Sequence, residues 1–154
     1  MPIKILMVCL GNICRSPMAE GIMAHMIHKQ RLPWHVDSAG TSNYHEGEAP
    51  DYRSILKMEK YGIDISLQRS RPFTEADFDR FDLILCMDEN NLLNVAKKAK
   101  NETHKAKITM IMEYVHPGER LGVPDPYYGG DAGFEKVYQM LWQACEKVIE
   151  QHGK

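Results

Sequence analysis

KILMVCLGNICRSPMAEGIM, residues 4–23, decides how the rest of the chain is read. Residues 3–10 form a near-continuous run of β-branched and aliphatic side chains. Such a run, too short for a membrane span and without polar alternation, predicts a strand buried on both faces. It breaks at Gly11-Asn12, two residues that tolerate left-handed backbone angles. Ser16 then supplies a candidate N-cap and Pro17 the first helical position. Met18, Ile22, Met23, Met26 and Ile27 recur at helical spacing to about Gln30. Strand, tight loop and helix follow one another within 30 residues.

Outward from this unit the same alternation repeats. A second strand is expected over residues 34–41 and a helix over residues 51–61, stopped by Gly62. DLILCM (82–87) predicts a third strand, followed by a helix over 89–98, and KITMIM (107–112) a fourth strand. Residues 134–149 give the cleanest helix, with Phe134, Val137, Tyr138, Leu141, Trp142, Cys145, Val148 and Ile149 on one face and Asp131 or Ala132 near its start. Alternating strands and helices imply βαβ units and a parallel sheet covered on both faces. The 154 residues fit one domain, 1–154, with no repeat, linker or low-complexity tract. In such folds ligands bind beyond the carboxyl ends of the strands, which is where Cys9 falls.

Composition narrows the function classes. A net charge of −2 offers no footprint for nucleic acid or for a membrane surface. Lys4 and the apolar run after it lack the length and cleavage site of a signal peptide, so a cytoplasmic location is expected. The four cysteines, Cys9, Cys14, Cys86 and Cys145, are then expected as thiols rather than disulfides. No C-x-x-C or Cys/His spacing suggests a metal, and His25 with His28 reads as a pair of solvated histidines. Neither a metal nor another cofactor is expected.

Cys9 and Arg15 stand in a C-x-x-x-x-x-R spacing, which carries weight here because the Cys ends a strand and the Arg precedes a helix. A loop in that setting turns the backbone N–H groups of Leu10, Gly11, Asn12, Ile13, Cys14 and Ser16 inward. The positive end of the helix dipole adds to them, making an anion cradle sized for a phosphate. The Arg15 fork can grip two phosphate oxygens, which Lys cannot. The same positive ends favour a thiolate at Cys9, and Ser16 can donate a hydrogen bond to it.

With these residues in hand, VCLGNICRSPMAE (8–20) resembles the signature loop of low-molecular-weight protein-tyrosine phosphatases. The likeness extends to DSAGT (37–41), YGID (61–64), LILCMDENN (83–91) and VPDPYYGG (123–130). The resemblance implies a three-layer α/β sandwich with a central parallel four-stranded sheet. It also implies metal-independent hydrolysis of phosphotyrosine in protein substrates through a phosphocysteine.

Expelling a tyrosine oxygen calls for an acid. Residues 113–133 form a long Gly/Pro-rich connection, and Asp125 between Pro124 and Pro126 matches the family's Asp-Pro position, so it is the expected proton donor. By resemblance Tyr44, Tyr127 and Tyr128 wall a deep slot that favours aryl phosphates; the family often has Trp where Tyr44 stands. Asn12 and Ser42 are expected to brace the loop, with Arg69 or Ser70 as further members. Asp88 is either a support for the catalytic loop or the N-cap of the helix over 89–98. Cys145 reads as a core residue. A Cys9–Cys14 disulfide on oxidation is suggested by the family. Arsenate reductases of this fold need a second relay cysteine seven residues beyond Cys86, where Leu93 stands. A phosphocarrier module would want neither a clamping Arg nor an acid.

Overall fold

The computed structural model describes residues 2–153, the side chain of Tyr128 excepted. Four strands, β1 (Lys4–Cys9), β2 (His35–Gly40), β3 (Leu83–Cys86) and β4 (Ile108–Met110), pair in the order β2-β1-β3-β4, all parallel. The central position of β1 explains its composition. Ile5, Leu6, Met7 and Val8 are all fully buried, each contributing about 1.5–3 kcal/mol relative to an exposed side chain.

Successive residues of β1 face opposite layers. Ile5, Met7 and Cys9 join the larger core, with α1 (Arg15–Lys29), α2 (Tyr52–Lys60) and α6 (Gly130–His152). Leu6 and Val8 join a smaller core with Phe73, Phe78, Phe81 and Val95, from α3 (Asp77–Arg80), α4 (Glu89–Ala96) and their flanks. The result is the expected three-layer α/β sandwich in one domain. Lys57 is a buried cation tying α2 to α6 through Asp131 (3.0 Å) and Glu135 (3.1 Å). Glu135 also accepts from Tyr61 Oη, which helps to hold its carboxyl down at about 2; Gln139 and Tyr61 contribute most to that shift, then Lys57.

The boundaries differ from expectation in instructive places. The first helix begins at Arg15, with Cys14 as cap and no side-chain cap bond; the Ser16 hydroxyl is engaged with Cys9 and Asn12 instead. The last helix starts at Gly130, one residue ahead of the start expected near Asp131 or Ala132. Two short helices, α3 and α5 (Glu102–Ala106), escaped the periodicity reading because four or five residues complete barely one turn. β4 gives way after Met110 to a 3-10 turn, Ile111–Tyr114.

Candidate active site

The site lies at the carboxyl ends of β1 and β3. Cys9 is the last residue of β1, and the chain leaves it into a loop that closes at Arg15, the first residue of α1. Asn12 makes the reversal with φ of 56°, the left-handed region that Asn tolerates better than most side chains. Its backbone N–H then points at Cys9 Sγ, 3.2 Å away. The Asn12 side chain donates to Ser16 Oγ (2.8 Å) and Ser38 Oγ (2.9 Å), and its Oδ1 accepts from the backbone N–H of Arg71 (3.1 Å). Ser16 Oγ stands 3.0 Å from Cys9 Sγ. Toward a thiolate at Cys9 this hydroxyl can only donate, while its oxygen still accepts from Asn12. Two donors therefore converge on Cys9.

Tight packing holds the loop from β2. Gly40 pairs with Cys9, and a Cβ there would stand 2.8 Å from the Leu10 carbonyl oxygen, so only glycine fits. Thr41 and Ser42 donate from their backbones to the carbonyls of Cys9 and Leu10, and Ser70 Oγ donates to Gly11 O (3.0 Å).

Arg15 is 5% exposed. Its Nη1 donates to Asp88 Oδ2 (2.7 Å) and to the Val123 carbonyl (2.9 Å), which anchors the guanidinium from behind while the side chain lines the cavity. Asp88 sits just past β3, and its other oxygen caps α4 through Asn91 N (2.8 Å). The Val123 N–H donates to Met87 O (2.7 Å), which draws residues 123–128 across the site. Asp125 follows at the rim, exposed, with Oδ1 accepting from Tyr127 N (3.0 Å). Cys9, Leu10, Gly11, Ile13, Cys14, Arg15, Ser42, Tyr44, His45, Asp125 and Tyr127 enclose a cavity of about 320 Å³. Arg15 makes one part of its lining cationic; Leu10, Ile13 and two tyrosines make another part apolar.

A model of the low molecular weight phosphotyrosine protein phosphatase family matches residues 4–154. The human low molecular weight phosphotyrosine protein phosphatase is 45% identical over 150 residues, covering 96% of this chain and 94% of the human one. The chain belongs to the low molecular weight phosphotyrosine protein phosphatase family. The crystal structure of an Entamoeba histolytica protein tyrosine phosphatase superposes with a TM-score of 0.90 at 39% identity, covering 97% of this chain and 96% of that one. A Drosophila arginine phosphatase superposes with a TM-score of 0.91 at 33% identity, covering 99% of both chains.

Within this phosphatase fold the residues expected from the sequence come together unevenly. Cys9, Leu10, Gly11, Ile13, Cys14, Arg15, Tyr44, Asp125 and Tyr127 line one cavity. Asn12 and Ser16 lie beneath it, buried, and brace Cys9. Ser42 lines the cavity as well as holding the loop. The Tyr128 side chain lies outside the described residues. Tyr44 is exposed and packs edge-on against His45 at 4.8 Å. Of the two proposed helpers, Ser70 is in the network and Arg69 is not; Arg69 donates to the carbonyls of Ser66 and Gln68 on the surface. Asp88 fills both of its suggested roles. Cys145 is fully buried; of the two histidines expected in solvent, His28 is exposed but His25 is half-buried, its ring 6.1 Å from that of Trp142. All four cysteines are free thiols, and burial, followed by the charge of Asp51, pushes Cys14 up to about 12.

Several members were missed. Arg71 bridges Asp37 (3.0 Å) and Asp77 (3.1 Å) while its backbone fixes Asn12. His45 pairs with Glu48 at 3.1 Å and borders Gly11. Glu20 ends the chain of hydrogen bonds that runs from Cys9 through Ser16, Asn12 and Ser38, accepting from Ser38 Oγ at 2.6 Å. Glu20 closes the 8–20 motif without standing out in it, His45 lines the cavity itself, and Arg71 acts through Asn12.

Burial pushes the Glu20 carboxyl up from 4.5 to about 7; Asp37 adds to the shift, and Ser38 and Arg71 oppose it. A raised pKa in the folded state means that the fold holds a proton the unfolded chain would release. The stabilisation is therefore complete below pH 4.5 and is lost as pH rises through about 7. Glu20→Gln keeps the acceptor for Ser38 without the charge. It is expected to flatten this slope and to be the more stable form at pH 8, by on the order of 2 kcal/mol. Chemical denaturation at pH 4.5, 6 and 8 checks this; parallel pH profiles for the two proteins would refute it.

Proposed function

We propose that this chain hydrolyses phosphotyrosine, and aryl phosphate monoesters generally, with Cys9 as nucleophile, Arg15 as phosphate clamp and Asp125 as proton donor. The observation that carries the reading is the convergence of Asn12 N–H and Ser16 Oγ on Cys9 Sγ, at the floor of a cavity that also holds Arg15 and has Asp125 at its rim.

In the first step the dianionic phosphoryl group rests on the N–H groups of residues 10–15 and on the Arg15 fork. The Cys9 thiolate attacks phosphorus in line, the P–O bond to the ring breaks, and Asp125 passes its proton to the departing oxygen. Asp125, now a carboxylate, takes a proton from water. That water attacks the phosphocysteine, the P–S bond breaks, and inorganic phosphate leaves. Ser16 and the Asn12 N–H stabilise the thiolate that returns. The transferring charge is met by preorganised donors, and the reaction is read as needing no metal.

The apolar walls select the substrate. An aryl ring can lie against Leu10, Ile13 and Tyr127, whereas the guanidino group of phosphoarginine would lose its water there with few acceptors to replace it. A phosphoserine side chain is too short to bring its phosphorus to Cys9. The substrates of the family are phosphoproteins, and we place this member in the cytoplasm, where its four thiols stay reduced. Phosphate release from one peptide carrying phosphotyrosine, phosphoserine or phosphoarginine tests the reading. Phosphotyrosine should lead by at least about 100-fold in kcat/KM, unaffected by chelator. A lead for phosphoarginine, or loss of activity to chelator, would sink it.

A further inference from the structure

The acid is exposed on its loop, and its distance from the phosphate loop is set by how the turn after it is held. Asp125 is exposed and extended, with φ of −75° and ψ of 117°. Its neighbours are tied by Val123 N–H to Met87 O on one side and by a single 3-10 turn, Pro126–Tyr128, on the other. An acid must stay within hydrogen-bond reach of the oxygen it protonates. Something must therefore fix this turn relative to the phosphate loop.

Arg53, in the first turn of α2, is in the place to do so. Its Nη1 donates to the Tyr127 carbonyl at 2.7 Å, and its guanidinium lies 4.7 Å from the centre of the Tyr127 ring and 4.9 Å from that of Phe134. The other nitrogens grip Asp51: Nε to Oδ1 and Nη2 to Oδ2, each at 3.0 Å. Asp51 Oδ1 also caps α2 through Arg53 N (2.9 Å), and the Asp51 N–H donates to the carbonyl of Ile13 at 2.7 Å. The Tyr127 N–H in turn donates to Asp125 Oδ1. An unbroken path thus runs from the phosphate loop at Ile13 through Asp51, Arg53 and Tyr127 to Asp125. An ordinary exposed ion pair between Asp51 and Arg53 would contribute little and would position nothing. Here the fork is bidentate, Asp51 is only 13% exposed, and the arginine makes three further contacts beyond the pair.

We propose that Arg53 is a positioning residue for proton donation, a staple that sets the Asp125 turn at its working distance from the phosphate loop. The proposal rests on the reading of Asp125 as the acid. Only a planar fork can hold Asp51 with two prongs and still donate to Tyr127 O. Loosening the staple lets the carboxyl wander while leaving the phosphate grip of Arg15 and the loop untouched. The cost should therefore depend on how much help the leaving group needs.

The test is kcat/KM, which reports phosphoryl transfer to Cys9, for the parent, Arg53→Met, Asp125→Asn and the double variant. Phosphotyrosine and a dinitrophenyl phosphate are the two substrates. Arg53→Met is expected to lose about 10-fold on phosphotyrosine, part of what a general acid supplies, and under about 2-fold on the dinitrophenyl ester. Competitive inhibition by inorganic phosphate should stay at the parent value. In the Asp125→Asn background, Arg53→Met should cost phosphotyrosine turnover nothing more, the mark of two residues acting through one step. Arg53→Lys, which keeps stem and charge without the fork, should show the same pattern in part and stands in if the Met form does not fold.

An equal loss on both substrates, a loss that persists undiminished without Asp125, or a Lys form equal to the parent would overturn the proposal. A steep dependence for Asp125→Asn beside a flat one for Arg53→Met would remove the staple alone. A flat dependence for Asp125→Asn itself would remove the acid, and the staple with it.

Discussion

Cys9→Ser is expected to abolish turnover, by on the order of 10⁴-fold or more, on every phosphate ester the protein accepts. The substitution changes one atom in a buried position that is 3% exposed. The loop, the Asn12 N–H and the Ser16 hydroxyl all keep their places. What disappears is the thiolate nucleophile: a serine hydroxyl is far less acidic than a thiol, and the groups that reach this atom, the Asn12 N–H and the Ser16 hydroxyl, are not bases that could take its proton. Binding of inorganic phosphate should survive, and should tighten, because a thiolate no longer repels the dianion. Titration calorimetry with phosphate, alongside the turnover assay, separates the two effects. Residual turnover near the parent's, with intact binding, would mean another nucleophile. Arg15→Lys is the companion test. The ammonium can reach Asp88 or the phosphate but cannot hold both with paired N–H groups, so a severe loss on all substrates is expected together with weaker phosphate binding.

The parts of this site that the sequence disclosed are those whose chemistry depends on local order along the chain. Cys9, Asn12, Arg15 and Ser16 are fixed by one strand-to-helix transition, and their spacing is their geometry. Burial of β1 on both faces was legible because no polar residue interrupts residues 5–8. Asp88 was read with two alternatives because its residue type suits both, and only the position of Arg15 Nη1, 73 residues away in sequence, shows that each carboxylate oxygen serves one of them. Arg71, His45, Glu20 and Arg53 were invisible for a shared reason. None belongs to the apolar stripe of its segment, and the fold alone brings each to the site: His45 comes to border Gly11, Glu20 reaches over 18 residues to Ser38, Arg71 over 59 to Asn12, and Arg53 over 74 to Tyr127. The short helices failed differently, since a single turn leaves too few residues for a period. The start of α1 was misplaced because a serine ahead of a proline fits an N-cap, and the demand of Cys9 Sγ for a donor outweighed it.

Asp125→Asn should separate a proton donor from a residue that merely shapes the turn. Asn keeps the size of the side chain and an oxygen that can accept from the Tyr127 N–H, so the loop itself should hold. What is lost is the proton. For phosphotyrosine, whose leaving oxygen is strongly basic, kcat/KM is expected to fall by roughly 10²–10⁴-fold, the usual worth of general acid catalysis. For an aryl ester with a strongly electron-withdrawing ring the phenolate departs unaided, and the fall should be far smaller. Across a series of substituted phenols, the logarithm of kcat/KM plotted against phenol pKa should therefore be steeper in the variant than in the parent. Breakdown of the phosphocysteine should also slow, since the carboxylate that takes the proton from water is the same one. With a good leaving group, that step should then limit kcat, and a burst of phenol should precede the steady state. A slope no steeper than the parent's would dismiss Asp125 as the acid. Asp88 would be a poor replacement, because one of its oxygens is committed to Arg15 and the other to the start of α4.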